Sequence, residues 1–402
     1  MAVKPSQNDS RTQLRMRARR LRFRRFFAYL GYSLVAAILA ISLLEFGAFL
    51  VLSAYHRLRP DADGFFADAS PAYAGYPWAP DFWKEETSRW KLARGSYEPF
   101  LIWRVAPWHG KYVNTDDTPY GMRRRTINPT NCEPSSRSDV WVFGGSTVFG
   151  TGVPDWATLP SLLSRELNSH ARGCVVVTNF GNEGYVSNQE VILLMEQFKA
   201  GHRPNIVVFY DGVNDSYAGV VSPGIPTAHV SLANIKARVE GSLAARLDFL
   251  RDSYALQLAR LAVHALGRSA RAASPEAQEI QSKAASTLDN YEANLSIVRA
   301  LGQAYGFRIF CFWQPSFVYG HKPLAPFELR IADNDSLKQS FQDMGVVYQL
   351  AERRAAKDGT FIFLGSLFDS TNEPVYLDRW MHLSPVGNEI VAQSLAQHMH
   401  ER

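Results

Sequence analysis

From Asp139 onward the chain alternates apolar runs of strand length with Gly- or Asn-rich turns and then with helical patterns, which restricts it to very few architectures. The runs are DVWVFG at 139–144, CVVVTNF at 174–180, NIVVFYD at 205–211, FRIFCFW at 307–313 and TFIFLG at 360–365. They are apolar at successive positions rather than at every second one, as suits strands of a parallel sheet covered on both faces. Helical patterns at 155–169, 186–200, 288–304, 335–357 and 385–400 supply that cover, and Asp155, right after Pro154, stands where a carboxylate favours a helix dipole. An α/β domain with a five-stranded parallel sheet over 136–402 is expected.

Residues 216–306, between the third and fourth runs, exceed a minimal crossover several-fold and are expected to hold an insertion. Its stretch SLAARLDFLRDSYALQLARLAVHALGR at 242–268 has apolar residues at helical spacing with Arg interleaved. Two readings stay open for it: a helical cap over a site, or a helix on a membrane surface.

The N-terminal side differs in kind. Residues 1–25 hold nine Lys and Arg against Asp9 alone, a net +8, so the rest of a chain whose total is +5 carries −3. A slightly acidic body offers no diffuse cationic face for a phosphate backbone, which argues against a nucleic-acid partner. Phe26 to Tyr55 follows as an apolar run interrupted only by Glu45, about as long as the ~20 residues that span a bilayer. It is long for a cleaved signal peptide and no A-x-A site follows cleanly, so a transmembrane signal anchor at 26–55 is expected. The basic tail at 1–25 then stays cytoplasmic and the remainder crosses to the periplasmic side of the inner membrane. Glu45 is either a neutralised or paired carboxyl or a contact with a membrane partner.

Residues 56–135 carry Tyr73, Tyr76, Trp78, Trp83, Trp90, Trp103 and Trp108 without a sustained period, and are expected to be an irregular periplasmic segment. Its aromatics suit packing against the main domain or the lipid interface, or stacking on sugar rings. The chain has three cysteines. Cys132 lies just before one strand and Cys174 opens the next, so an oxidising compartment would permit a bridge between these two, whereas Cys311 inside RIFCFW suits the core.

Chemistry concentrates at the carboxyl ends of the strands, where open α/β sheets bind ligands. The first ends in FGGSTVFG, which exposes Ser146 at a strand-to-helix turn. The second runs into NFGNEGY with Gly184, the third into DGVND with Asn214 and Asp215. Near the C-terminus DRWMHLSPVGNEI places His382 just before a helix. Taken singly, each is an ordinary turn, capping or surface residue.

As an ordered set they resemble the SGNH, or GDSL-like, hydrolase family, in particular its membrane-anchored bacterial members. Gly144-Gly145-Ser146 is similar to the first block, Gly184 to the second-block glycine, Gly212-Val213-Asn214-Asp215 to the third, and His382 to Gly387 to the last. The Gly-Met-Arg at 121–123 resembles a Gly-x-Arg found upstream in anchored relatives. The resemblance covers about 139–402 and implies a flavodoxin-like three-layer fold, with Ser146 as nucleophile and His382 as general base. It further implies an oxyanion hole of the Ser146 and Gly184 N–H groups with the Asn214 amide, and Asp378 as the carboxylate orienting His382. Two departures stand out: Gly145 replaces the family's usual Asp, and Asp378 lies four residues before the histidine rather than three, leaving Asp369 and Glu373 as substitutes.

The implied activity is hydrolysis of acyl, in particular acetyl, oxygen esters of envelope glycans or lipids. Two alternatives remain, an O-acyltransferase acting on polysaccharide, and a catalytically silent scaffold that meets envelope-assembly proteins. No side-chain cluster at metal-ligand spacing and no dinucleotide or Walker loop follows a strand, so no metal or cofactor is expected.

Overall fold

The computed structural model describes residues 7–58, 70–93, 95–170, 173–221, 229–230, 232–240, 253–267, 277–333 and 337–401. The chain divides into two compact units, Met1–Asp63 with Ala237–Ala272, and Gly64–Lys236 with Ala273–Arg402.

In the first unit, helix α1 (Gln7–Leu58) contains a stretch, Arg22–Tyr55, long and apolar enough to cross a membrane. Glu45 has a partner here. Its carboxylate accepts the Tyr254 N–H at 2.7 Å and the Ser253 hydroxyl, capping the N-terminus of a helix at Tyr254–Gly267. The ring of Phe49 meets Tyr254 edge to face at 5.2 Å. Residues 242–252 and 268 lie outside the described residues, and with them part of the stretch read as a cap or surface helix.

The second unit is built in order from α2 (Ala79–Leu92), β1 (Ser96–Glu98), β2 (Ile102–Arg104), β3 (Trp108–His109), β4 (Asn114–Thr118), β5 (Gly121–Arg124) and β6 (Arg137–Gly144). There follow α3 (Ser146–Phe149), α4 (Leu159–His170), β7 (Cys174–Asn179), α5 (Ser187–Lys199), β8 (Ile206–Asp211) and α6 (Val213–Val221). The last part holds α7 (Ala277–Tyr305), β9 (Arg308–Trp313), α8 (Pro326–Ala332), α9 (Lys338–Asp358), β10 (Ile362–Phe363) and α10 (Pro385–His400). The five long-range strands form one parallel sheet in the order β10-β9-β8-β6-β7. Chain direction across the sheet reverses at β6, between β7 and β8, which is the flavodoxin-like switch point. The register pairs Gly144 with Tyr210 and Val142 with both Asn179 and Val208, so β6, β7 and β8 end side by side.

Sheet strands are buried because neither face is polar: Val140, Trp141, Val142, Phe143, Val207, Val208 and Phe209 are fully covered. Helices α4 and α10 pack together on one side, while α7 packs with α5, α6 and α9. Helix α10 starts where Pro385 removes a backbone donor that would go unpaired, and Ser384 caps it by accepting the Gly387 N–H at 3.1 Å.

The structure changes two expectations. Within the stretch expected to hold an insertion, residues 277–305 belong to the core: the helix read at 288–304 begins at Ala277, and Ile280, Ala284, Leu288, Tyr291, Leu295 and Val298 recur at helical spacing and are buried. Residues 70–125 are not irregular: they form α2 and two small antiparallel sheets, β1-β2 and β3-β4-β5, within the same unit as the parallel sheet. Aromatic contacts replace period as their organising force, with Tyr73, Trp78, Phe82 and Trp83 packed ring against ring. Asp155 also does more than favour a dipole. It sits in a 3-10 turn ahead of α4, buried, and binds the buried Arg124 guanidinium at 2.7 Å and both the backbone and side-chain amides of Asn114.

Candidate active site

Ser146 is the first residue after the β6 turn and opens α3, half-buried, with Gly145 as the preceding cap. Its hydroxyl lies 2.7 Å from His382 Nε2, and His382 Nδ1 lies 2.6 Å from Asp378 Oδ2. His382 and Asp378 are 2% and 4% exposed, so the pair is held out of bulk water, where a charge-assisted hydrogen bond is strongest. The tautomer that fits donates Nδ1–H to the carboxylate and leaves Nε2 to accept from Ser146 Oγ–H.

The four-residue spacing is reached without a helix. Asp378 to Met381 is a reverse turn closed by the Met381 N–H donating to the Asp378 carbonyl at 3.0 Å, and Met381 then takes φ +63°. A left-handed residue after such a turn makes a three-residue hairpin loop, so residues 378 and 382 face each other directly. Asp378 Oδ1 accepts the Trp380 N–H at 2.9 Å, which leaves Oδ2 for the imidazole. The two substitute carboxylates are elsewhere: Asp369 accepts the His321 N–H, and Glu373 is exposed.

Gly184 has φ +75°, a conformation that glycine takes without a Cβ penalty. Among the described residues, neither its N–H nor that of Ser146 meets a protein acceptor. Asn214, at the start of α6, spends one amide hydrogen on the Tyr185 carbonyl at 2.8 Å and keeps the other. A Cβ on Gly145 would stand 2.2 Å from Asn214 Nδ2. In this chain a side chain at 145 would crowd the Asn214 amide, which packs against the turn before Ser146. Tyr217, one turn beyond Asn214, and Trp380, two residues before His382, meet edge to face at 5.1 Å.

Beneath Asn214 lies a group of buried acids. Asp215 accepts from the Ser187 hydroxyl at 2.6 Å and from the Ser187 N–H, and burial pushes its carboxyl up to about 6 against those bonds. Burial also raises the carboxyls of Glu190 and Asp211 well above the carboxylate range, with the Asp211 charge raising Glu190 further and the Asp215 charge raising Asp211 further. Asp215 therefore ties α6 to the start of α5.

Several residues around this site, Arg123 apart, carry no periodic or motif signal. Trp103 Nε1 donates to the Glu183 carbonyl at 2.8 Å. Arg89 donates to Glu86 and, at 2.8 Å, to Glu183 Oε1. Burial works against the Arg89 charge, but Glu183 and Glu86 outweigh it and hold the guanidinium firmly protonated. Arg123 of the Gly-Met-Arg stretch lies over the Phe180 ring at 4.7 Å, at the end of β7, and burial lowers it to about 10. The structure joins Cys132 to Cys174, with Cα atoms 5.4 Å apart, and leaves Cys311 buried as a thiol. Among the described residues no group of three metal-ligating side chains forms.

No known protein-family profile matches the chain, and no curated protein matches it either. Solved structures do. A lipase from a goat rumen metagenome is 12% identical, with a TM-score of 0.37, over 65% of this chain and 96% of that one. The lipase/acylhydrolase of Enterococcus faecalis is 14% identical, TM-score 0.35, over 66% and 96%. An acetylxylan esterase of Geobacillus stearothermophilus is 14% identical, TM-score 0.32, over 65% and 94%. Solved structures similar to this chain are thus lipases, acylhydrolases and acetyl esterases, some of them described as lipolytic proteins of the G-D-S-L family.

Proposed function

We propose that the chain is a membrane-anchored serine esterase that cleaves acyl oxygen esters through Ser146, His382 and Asp378. The observation that carries this reading is the unbroken line from Asp378 Oδ2 through the imidazole to Ser146 Oγ, with contacts of 2.6 and 2.7 Å. In the first half-reaction His382 Nε2 takes the Ser146 proton as Oγ attacks the ester carbonyl, and the same proton passes to the departing alkoxide, leaving an acyl-serine. Water then attacks with His382 again as base, releasing the carboxylic acid and restoring Ser146 Oγ–H. Through both steps Asp378 fixes the tautomer and stabilises the imidazolium. The Ser146 and Gly184 N–H groups and the second Asn214 N–H receive the oxyanion, and donors of this kind are each worth about 3 kcal/mol of barrier.

The substrate class follows from location. With the apolar helix in the inner membrane and the basic tail in the cytoplasm, the site faces the periplasm, where acetylated envelope glycans and lipid-linked acyl esters are its natural reach. The test is labelling of the full-length chain in detergent with a fluorophosphonate probe. Ser146 takes the label, and Ser146→Ala neither takes it nor hydrolyses p-nitrophenyl acetate; a Ser146→Ala chain that labels as strongly as the parent rules the reading out.

A further inference from the structure

We infer that Trp103 is a positioning residue that aims the Gly184 N–H at the oxyanion, and the inference rests on the esterase reading above. The Glu183 carbonyl and the Gly184 N–H belong to one peptide unit. Because that unit is planar and trans, the two groups point in opposite directions and cannot be turned separately. The Trp103 Nε1–H donates to the Glu183 oxygen at 2.8 Å, so it fixes the direction in which the Gly184 N–H leaves on the other side. Left to itself this peptide would be free to flip, since Gly184 at φ +75° has no Cβ to resist rotation.

The indole is itself held. Tyr185 Oη–H donates to the Trp103 carbonyl, the two rings meet edge to face at 5.8 Å, and the His229 ring closes on the indole at 5.6 Å. On either side of it, the Gln189 amide donates to the Leu101 carbonyl at 2.7 Å and the Val105 N–H to Asn182 Oδ1 at 3.1 Å. The short strand β2 is therefore stapled along the 182–186 loop and the first turn of α5. Its backbone bears a cost for lying there, with β-branched Ile102 at φ +76°. Glu183 is gripped a second time through its side chain, where Oε1 accepts from Arg89 at 2.8 Å and from the Thr151 hydroxyl at 3.1 Å. With both ends of residue 183 fixed, the peptide that follows has one orientation, and that orientation exists before substrate arrives, as electrostatic stabilisation of a transition state requires.

The test compares the full-length parent with Trp103→Phe and with a chain carrying 3-benzothienylalanine at 103, which keeps the bicyclic shape and replaces only the N–H by sulfur. Fluorophosphonate labelling counts competent Ser146 sites, and p-nitrophenyl acetate hydrolysis is expressed per labelled site. An oxyanion donor acts on the transition state, so kcat per site falls about tenfold in both variants with KM within about twofold, short of the 10²–10³ for deleting a donor outright. A role in folding alone would lower the number of labelled sites or the melting temperature and leave turnover per site intact. A benzothienyl chain with kcat per site within about twofold of the parent overturns the inference. A parent that neither labels nor hydrolyses overturns the esterase reading instead, and that result is read before either variant is compared.

Discussion

Asp378 and His382 face each other across a three-residue turn, and the φ of +63° at Met381 is what turns an off-pattern spacing into a 2.6 Å contact. In the proposed mechanism the carboxylate contributes orientation and charge rather than proton transfer. Asp378→Asn keeps the turn, because an amide oxygen still accepts the Trp380 N–H, but it stabilises the wrong imidazole tautomer. We expect kcat to fall by about 10³–10⁴ with the melting temperature little changed, measured by ester hydrolysis per folded molecule.

Gly145→Ala tests the packing of the Asn214 amide over the nucleophile turn. A Cβ 2.2 Å from Asn214 Nδ2 forces the amide aside, while the φ of −79° at Gly145 is open to alanine, so the backbone itself is not strained. The variant should fold and lose about 10²-fold in kcat, approaching Asn214→Ala. Equal activity to the parent would show that Asn214 is not an oxyanion donor.

The buried acids give stability a pH dependence of definite sign. Glu190, Asp211 and Asp215 have carboxyls raised in the folded state, so the folded chain holds protons that the unfolded chain has released. Their contribution is complete below the ordinary carboxylate range near pH 4 and is lost as pH rises, for Asp215 through about 6. Glu190→Gln removes one titration while keeping a donor toward Asp211. Its melting temperature should match the parent at pH 5 and exceed it at pH 8; a parallel fall at both values would contradict the assignment.

The Cys132–Cys174 bridge spans 42 residues and ties the approach to β6 to the start of β7. On the chain-entropy view a loop of that length is worth about 4 kcal/mol, or about 10 °C in a domain of this size. Cys132→Ser with Cys174→Ser should lower the melting temperature by that order, and reductant should lower that of the parent alone.

Much of this was legible in the residues because it follows from period and punctuation. Runs of Val, Ile and Phe at successive positions specify a covered parallel sheet, and glycines and asparagines at their ends mark where the chain turns into the site. The fifth strand shrank to Ile362–Phe363 because it lies at the sheet edge with a single neighbour. The segment at 70–125 was illegible for the opposite reason. It is held by ring contacts, by the buried pairs Arg124–Asp155 and Arg89–Glu86, and by carbonyls reached from residues some eighty positions away, none of which imposes a repeat on sequence. The spacing of Asp378 and His382 did not by itself reveal their contact, because a turn with a left-handed residue closes the gap.

The staple between Trp103 and Glu183 also sets an order of assembly. On a chain emerging from its N-terminus, Trp103 appears with nothing to hold, Ser146 follows, the peptide to be held comes later, and the His382 imidazole comes after all three, in the loop before α10. Each partial product of synthesis carries a serine without its base. On the mechanism proposed above, the site is assembled only once the turn at 378–382 has been made and has folded back against the end of β6.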